Sequence, residues 1–338
     1  MNLLTPPEGR SIDVVCVGMA IVDVLAHAED TFLESHAMIK GSMDLIDTER
    51  ALSVYAAMPP AIEVSGGSAA NTAAGLASFG GAVAFVGKVA EDELGAVFAH
   101  DIRAAGVAFD IEPLSGSEAA AGTARCLILV TPDAQRTMNT YLGVAASLRP
   151  IDIDGALIAS AKVLYIEGYL WDDPGAKDVI RTAIAAAREA GTRVSFTLSD
   201  GFCVDRHRAE FLELIAGDVD ILFANESEIC SLYETAEFEE AVSKVVGHVA
   251  IACLTRSEHG SIILTADGDR IEIPAVPATL VDTTGAGDLY AAGFLSGWTT
   301  GQSLAESGRM GSLAAGEVIS HLGARPQVSL SELWKDHR

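Results

Sequence analysis

After Pro150 the chain alternates regularly between helical patterns and short apolar runs, and few folds accommodate that order. A helix over 153–160 precedes a strand over 163–166; helices over 175–190 and 206–216 precede strands over 193–198 and 220–224. Further strands follow at 249–254 and 261–264. Short runs that are apolar on both faces belong inside a parallel sheet covered by helices on both sides. The 338 residues, 49% of them hydrophobic, suffice for such a core. Earlier in the chain, 12–17 and 82–86 read as two more central strands and 93–105 as a helix. The runs 108–114, 124–130 and 137–141 read as strands with no helix between them. The turn Thr131-Pro132-Asp133-Ala134-Gln135 makes the last two a hairpin. Three strands in succession predict a small separate sheet. The expectation is an α/β chain forming one domain over 11–330. Its central, mostly parallel sheet has helices on both faces, and a small β-sheet lid is built from parts of 24–64 and 107–141.

Charge narrows the partners. A formal net charge of −25 argues against nucleic acid and anionic membranes. It leaves ATP open, because local N–H groups and a metal oppose the overall field. Cys16, Cys126, Cys203, Cys230 and Cys253 form no C-x-x-C pair, and most lie in strand-like runs, so a reduced, cytoplasmic protein is expected. The apolar run 14–22 is too short to span a bilayer, and no basic leader precedes it. The histidines show no H-E-x-x-H pattern, so no zinc site is expected.

The most informative stretch is Asp282-Thr283-Thr284-Gly285-Ala286-Gly287-Asp288. An extended run over 270–281 leads in, and a small-residue helix over 288–298 leads out. Free backbone N–H groups and the helix dipole at such a handover form an anion site. Asp288 would repel a bound phosphate in a simple cradle. In the first helical turn it serves either as an N-cap or as a base that takes a proton from a hydroxyl, while the N–H groups hold the developing charge. Asp23 follows the strand at 12–17 and is placed either as a substrate contact or as a loop aspartate. Gly66 and Gly67 open a helix carrying Asn71 one turn in, as a ligand site or a plain turn. Asn225 and Glu228 share a helix face after a strand, placed for Mg²⁺ with its phosphate and water or as a helix cap. The turn from Thr255 through Ser257 to Gly260 can hold a nucleotide, and Arg136 can reach a phosphate.

Taken in order, Asp23, Gly66-Gly67 with Asn71, Asn225 with Glu228, and Gly285-Ala286-Gly287-Asp288 resemble the ribokinase, or pfkB carbohydrate kinase, family over nearly the whole chain. The runs Ser65-Gly66-Gly67-Ser68, Tyr165-Ile166-Glu167-Gly168-Tyr169-Leu170 and Val219 to Glu226 look most like adenosine kinases and their bacterial relatives. The resemblance implies a ribokinase-like domain with a β lid and ATP-dependent phosphorylation of a primary hydroxyl. It makes Asp288 the base and Gly285, Ala286 and Gly287 the anion hole. Asp23, Gly67 and Asn71 grip the sugar. Asn225 and Glu228 organise Mg²⁺, and Thr255, Ser257 and Gly260 line the ATP site. Arg136 is a lid arginine, Tyr169 flanks the acceptor, and Asp282 with Thr284 stand where some relatives hold K⁺. Met19 replaces a common asparagine, Leu170 stands near a base-stacking aromatic that Tyr169 or Phe202 can replace, and Ser257 replaces a common glycine.

The expected function is transfer of the ATP γ-phosphoryl to the 5′-hydroxyl of a nucleoside, adenosine first, by a monomer or homodimer. The alternatives are a sugar kinase acting on ribose, fructose or a keto-sugar acid, and a catalytically idle nucleotide-binding protein. A dinucleotide-binding dehydrogenase is disfavoured because Tyr290 blocks the third small position of a G-x-G-x-x-G pattern, and no Walker A sequence occurs.

Overall fold

The computed structural model describes residues 4–133 and 135–337. Its strands are β1 Ile12–Val17, β2 Ile21–His27, β3 Met43–Leu45, β4 Ile62–Gly66, β5 Val83–Val86, β6 Ala124–Val130, β7 Arg136–Tyr141, β8 Ala161–Glu167, β9 Arg193–Thr197, β10 Ile221–Asn225, β11 Ile251–Thr255, β12 Ser261–Thr265 and β13 Arg270–Ile273. They form an eight-stranded sheet in the order β13-β12-β11-β10-β9-β8-β1-β5 and a five-stranded sheet in the order β3-β7-β6-β2-β4. In the larger sheet every pair from β5 to β11 is parallel, and β12 and β13 close one edge antiparallel. This is the ribokinase-like α/β fold with a second small sheet. Strand order reverses at β1, which lies between β5 and β8, and ligands of open α/β sheets gather where that happens.

Local chemistry sets the helices. Pro174–Ala190 begins with Pro at its first turn, after Asp173, whose carboxylate accepts from the N–H of Gly175 and Ala176. It ends at Gly191 in the left-handed conformation, which glycine adopts at little cost. Val179, Ile180, Ala183, Ile184 and Ala187 recur at helical spacing and bury one stripe.

The small sheet is two-faced. Leu127 and Leu129 of β6 join Val22 and Val24 of β2 in the main core, while Cys126, Ile128 and Val130 pack with Leu25 and Met138 on the opposite face. Consequently β6 is buried along its whole length.

The sequence-based boundaries differ most from the structure in four places. The run 108–114 makes only two isolated bridges, Ala84 to Ala108 and Ala90 to Leu114, and supplies no strand to the small sheet. The extended run 270–281 is a strand only as far as Ile273, because Pro274 and Pro277 have no N–H to continue a ladder. Gly285 is therefore reached from a coil. The helix expected over 206–216 starts at Gly201, where Asp200 caps it by accepting from the N–H of Cys203. The helix expected over 153–160 is a 3₁₀ turn, Pro150–Asp152, followed by a short helix, Gly155–Ala159. Ala134 of the β6–β7 turn lies outside the described residues, and the two strands pair antiparallel as expected.

Candidate active site

Two helix N-termini meet at the C-terminal edge of the large sheet. Gly285 (φ +79°) starts Ala286–Thr299, and Gly67 (φ +92°) starts Ser68–Ser78. The helices approach closely because Gly75 faces Leu289 and Ala292, where an added Cβ would sit 2.6 and 2.7 Å from their side chains. Asp288 lies in the first turn between them. Ser68 Oγ donates to its Oδ1 at 2.6 Å and Asn71 Nδ2 to its Oδ2 at 3.1 Å. Burial pushes the Asp288 carboxyl up to about 6, and these two hydrogen bonds oppose the rise. Space is open beside Gly287, where an added Cβ would meet nothing within 4 Å, so the backbone there is accessible to an anion.

Asp23 projects from β2 into the same cleft. Burial pushes it up to about 7. The charges of Arg325 and Arg136 oppose that rise, and those of Asp288 and Asp282 add to it. Gly66 must be small, because an added Cβ would lie 2.3 Å from Asp23 Oδ2. At Gly67 it would lie 2.3 Å from the Met19 carbonyl oxygen. These glycines bring the backbone beside the carboxylate. Asn71, expected to grip the sugar, also lines the cleft, but its amide is engaged with Asp288 and, through Oδ1 at 3.4 Å, with Arg325 Nε.

Asn225 and Glu228 form a reciprocal helix cap. Asn225 Oδ1 accepts from the Glu228 N–H at 2.8 Å, and Glu228 Oε2 accepts from the Asn225 N–H at 2.9 Å. Asn225 Nδ2 also donates to Glu228 Oε1 at 2.5 Å. The cap and the cleft wall are the same residues, so the two readings of this pair coexist. Burial pushes Glu228 up to about 7. An all-oxygen carboxylate facing a cleft suits a hard cation held through water and phosphate. Thr255 ends β11, Ser257 and Gly260 follow it, and all three line the cleft further along. Ser257 has φ +49°, and Gly260 (φ +79°) would carry a Cβ 2.0 Å from the Ile273 carbonyl oxygen.

Arg136, at the start of β7, spans from the small sheet to the anion motif. Its Nη1 donates to Thr284 Oγ1 at 2.6 Å, and its Nη2 pairs with Asp282 Oδ2 in a buried ion pair. Asp282 also accepts from the N–H of Thr284 at 3.0 Å and of Gly323 at 2.9 Å. In this structure the Asp282 and Thr284 side chains, expected beside K⁺, are partnered by a guanidinium. Among the described residues no cluster of three His, Cys, Asp or Glu could hold a metal.

Three contributors escaped the sequence reading. Ser68 follows the Gly66-Gly67 pair and carries no signal of its role in the local sequence. Glu167 is buried at the end of β8, accepting from the N–H of Met19 and of Ala69 at 2.7 Å each, and so ties the β1 exit to the Ser68–Ser78 helix. Arg325 had no local signal. At the cleft mouth, Met43 and Leu45 of β3 are exposed alongside Phe202, with Tyr169 half-buried. Leu170 is fully buried and contributes nothing to the cleft surface. The whole cleft encloses about 1760 Å³.

A family model for the pfkB carbohydrate kinases matches residues 36–330. The chain belongs to the pfkB carbohydrate kinase family. Enzymes of this family are phosphotransferases acting on hydroxyl groups, and so is this one. They draw on ATP, typically with Mg²⁺. Among solved structures, the probable sugar kinase from Rhizobium etli CFN 42 is 49% identical (TM-score 0.90, covering 97% of this chain and 99% of the other). The adenosine kinase from Sinorhizobium meliloti is 50% identical (TM-score 0.89, with the same coverages). The 5-dehydro-2-deoxygluconokinase of Shouchella clausii (strain KSM-K16) is 27% identical over 96% of this chain and 95% of its own. These relatives agree on a sugar or nucleoside acceptor and divide on which. Among the described residues, no helix of this pfkB-family kinase is long and apolar enough to cross a membrane.

Proposed function

We propose that the enzyme transfers the γ-phosphoryl of ATP to the 5′-hydroxyl of a nucleoside, with adenosine as the preferred acceptor. The observation that carries this reading is the continuity of the cleft. It runs from Asp288, past the Asp23 carboxylate, to an apolar mouth formed by Met43, Leu45, Met138, Tyr169 and Phe202. A carboxylate that accepts two hydrogen bonds suits a vicinal diol, and an apolar slot beyond it suits a planar base. The 50% identity to the Sinorhizobium meliloti adenosine kinase supports it.

In this mechanism Asp288 takes the proton of the acceptor hydroxyl as it attacks in line, while Ser68 and Asn71 hold the carboxylate toward it. The N–H groups from Gly285 to Gly287 receive the equatorial phosphoryl oxygens. Glu228 and Asn225 would hold Mg²⁺ through water and phosphate, and the ion would supply charge neutralisation at the transferring group. Arg136 ties the small sheet down as a lid that excludes water, which otherwise competes as an acceptor.

The second reading is a sugar kinase, favoured by the 49% identity to the Rhizobium etli protein and by the gluconokinase relatives. ADP release from ATP–Mg²⁺ with adenosine, inosine, guanosine, cytidine, ribose, fructose and 5-dehydro-2-deoxygluconate separates the two. Turnover with adenosine above every free sugar supports the proposal. Turnover confined to free sugars or the keto-sugar acid sinks it and leaves the phosphotransfer machinery standing.

A further inference from the structure

A loop far from the recognised motifs completes the site. Three consecutive residues, Gly323, Ala324 and Arg325, each engage a different part of it. The Gly323 N–H donates to Asp282 Oδ2 at 2.9 Å. Ala324 packs on Gly285 so tightly that a Cβ there would lie 2.8 Å from both its Cβ and its carbonyl oxygen. Arg325 Nε donates to Asn71 Oδ1 at 3.4 Å, and Asn71 Nδ2 in turn donates to Asp288 Oδ2 at 3.1 Å. An amide has one acceptor end and one donor end. A guanidinium, which only donates, must face the acceptor end, so the NH₂ is left facing Asp288. One of its two terminal nitrogens, Nη2, is buried without a hydrogen-bond partner, an expensive arrangement that calls for a use.

Charge supplies that use. Asp23 and Asp288 line the cleft, the charge of Asp282 also acts on Asp23, and Arg136 is committed to Asp282 and Thr284. Arg325 is the other cation that acts on Asp23. We propose that Arg325 is a positioning residue for phosphoryl transfer, turning the Asn71 amide toward Asp288 and setting a positive charge beside Asp23. The inference rests on Asp288 being the base and Asp23 the acceptor contact. The groups facing Asp23 are Arg325, Arg136, Asp288 and Asp282, with Cys126 opposite it on β6; Arg325 also faces Asp101, which accepts from the Ser65 N–H. Losing the guanidinium leaves Asp23 without one of two counter-charges. Asp23 then ionises at higher pH, and the amide loses its orientation.

The test is the pH profile of kcat/KM for the acceptor, with kcat and the KM for ATP measured separately. Arg325→Gln is expected to move the acid limb up by about one pH unit. It should lower kcat by about 10- to 100-fold, with the KM for ATP within about twofold of the parent. Arg325→Lys keeps the charge and loses the Nε contact, so its acid limb stays in place while kcat falls. A folded Arg325→Gln enzyme with parental kcat and an unmoved limb overturns the proposal. If that variant does not fold, Arg325→Lys decides alone: a moved limb or an unchanged kcat overturns it. Asp288→Asn, run alongside, separates the two levels. Substantial turnover in Asp288→Asn refutes the base reading itself, whereas a dead Asp288→Asn with an unaffected Arg325→Gln refutes only the role of Arg325.

Discussion

Asp288 illustrates how one position carries two chemistries. Its helix is capped by Gly285 and not by Asp288, whose oxygens instead accept from Ser68 and Asn71, side chains of another helix. Those contacts aim it into the cleft. Asp288→Asn is expected to cut turnover by about 10²-fold or more with ATP affinity retained, measured by steady-state kinetics and nucleotide binding. The same carboxylate is pushed up to about 6, so kcat should rise with pH through that region as the base ionises. A flat kcat profile between pH 5 and 8 would count against it.

Elements explain why single glycines matter so much here. Gly285 combines a left-handed backbone with direct packing on Ala324. Gly285→Ala is therefore expected to cost about 1–3 kcal/mol in urea unfolding and to disable the anion site. The small sheet is joined to that site through Arg136. Arg136→Leu leaves the nearly inaccessible Asp282 carboxylate without its cation, an expected loss of about 3–5 kcal/mol. It should also raise ATP hydrolysis relative to acceptor phosphorylation if the small sheet acts as the proposed lid, because that sheet loses its tie to the motif. An unaltered ratio of the two rates would show that the link serves stability alone.

At the scale of the whole molecule, stability and activity oppose each other in pH. Burial raises Asp23, Glu167 and Glu228 to about 7 and Asp288 to about 6, from ordinary values near 4. A carboxyl raised on folding contributes stability that is complete below its unfolded value and is lost as pH climbs through the folded one. Tm is thus expected to be higher at pH 5.5 than at pH 8 by scanning calorimetry, while turnover is higher at pH 8. The net charge of −25 adds to the alkaline loss through self-repulsion. The sequence by itself determined the alternation of strands and helices, the two-sheet plan and the Gly285–Asp288 motif, because hydrophobic period and glycine placement are local properties. Asp23, Asn71, Asn225 and Glu228 were legible as candidates for the same reason: each follows a strand or opens a helix. Only the tertiary structure decided that Ser68 and Asn71 hold Asp288, that Arg136 answers Asp282 and that Arg325 closes the set. Those partners lie 254 residues apart in the case of Asn71 and Arg325, and 148 apart for Arg136 and Thr284. No local pattern encodes a contact at such separation. It exists because Gly75 and Gly285 let helices and loop approach, and because a buried charge must find its counterpart wherever the fold brings one within reach.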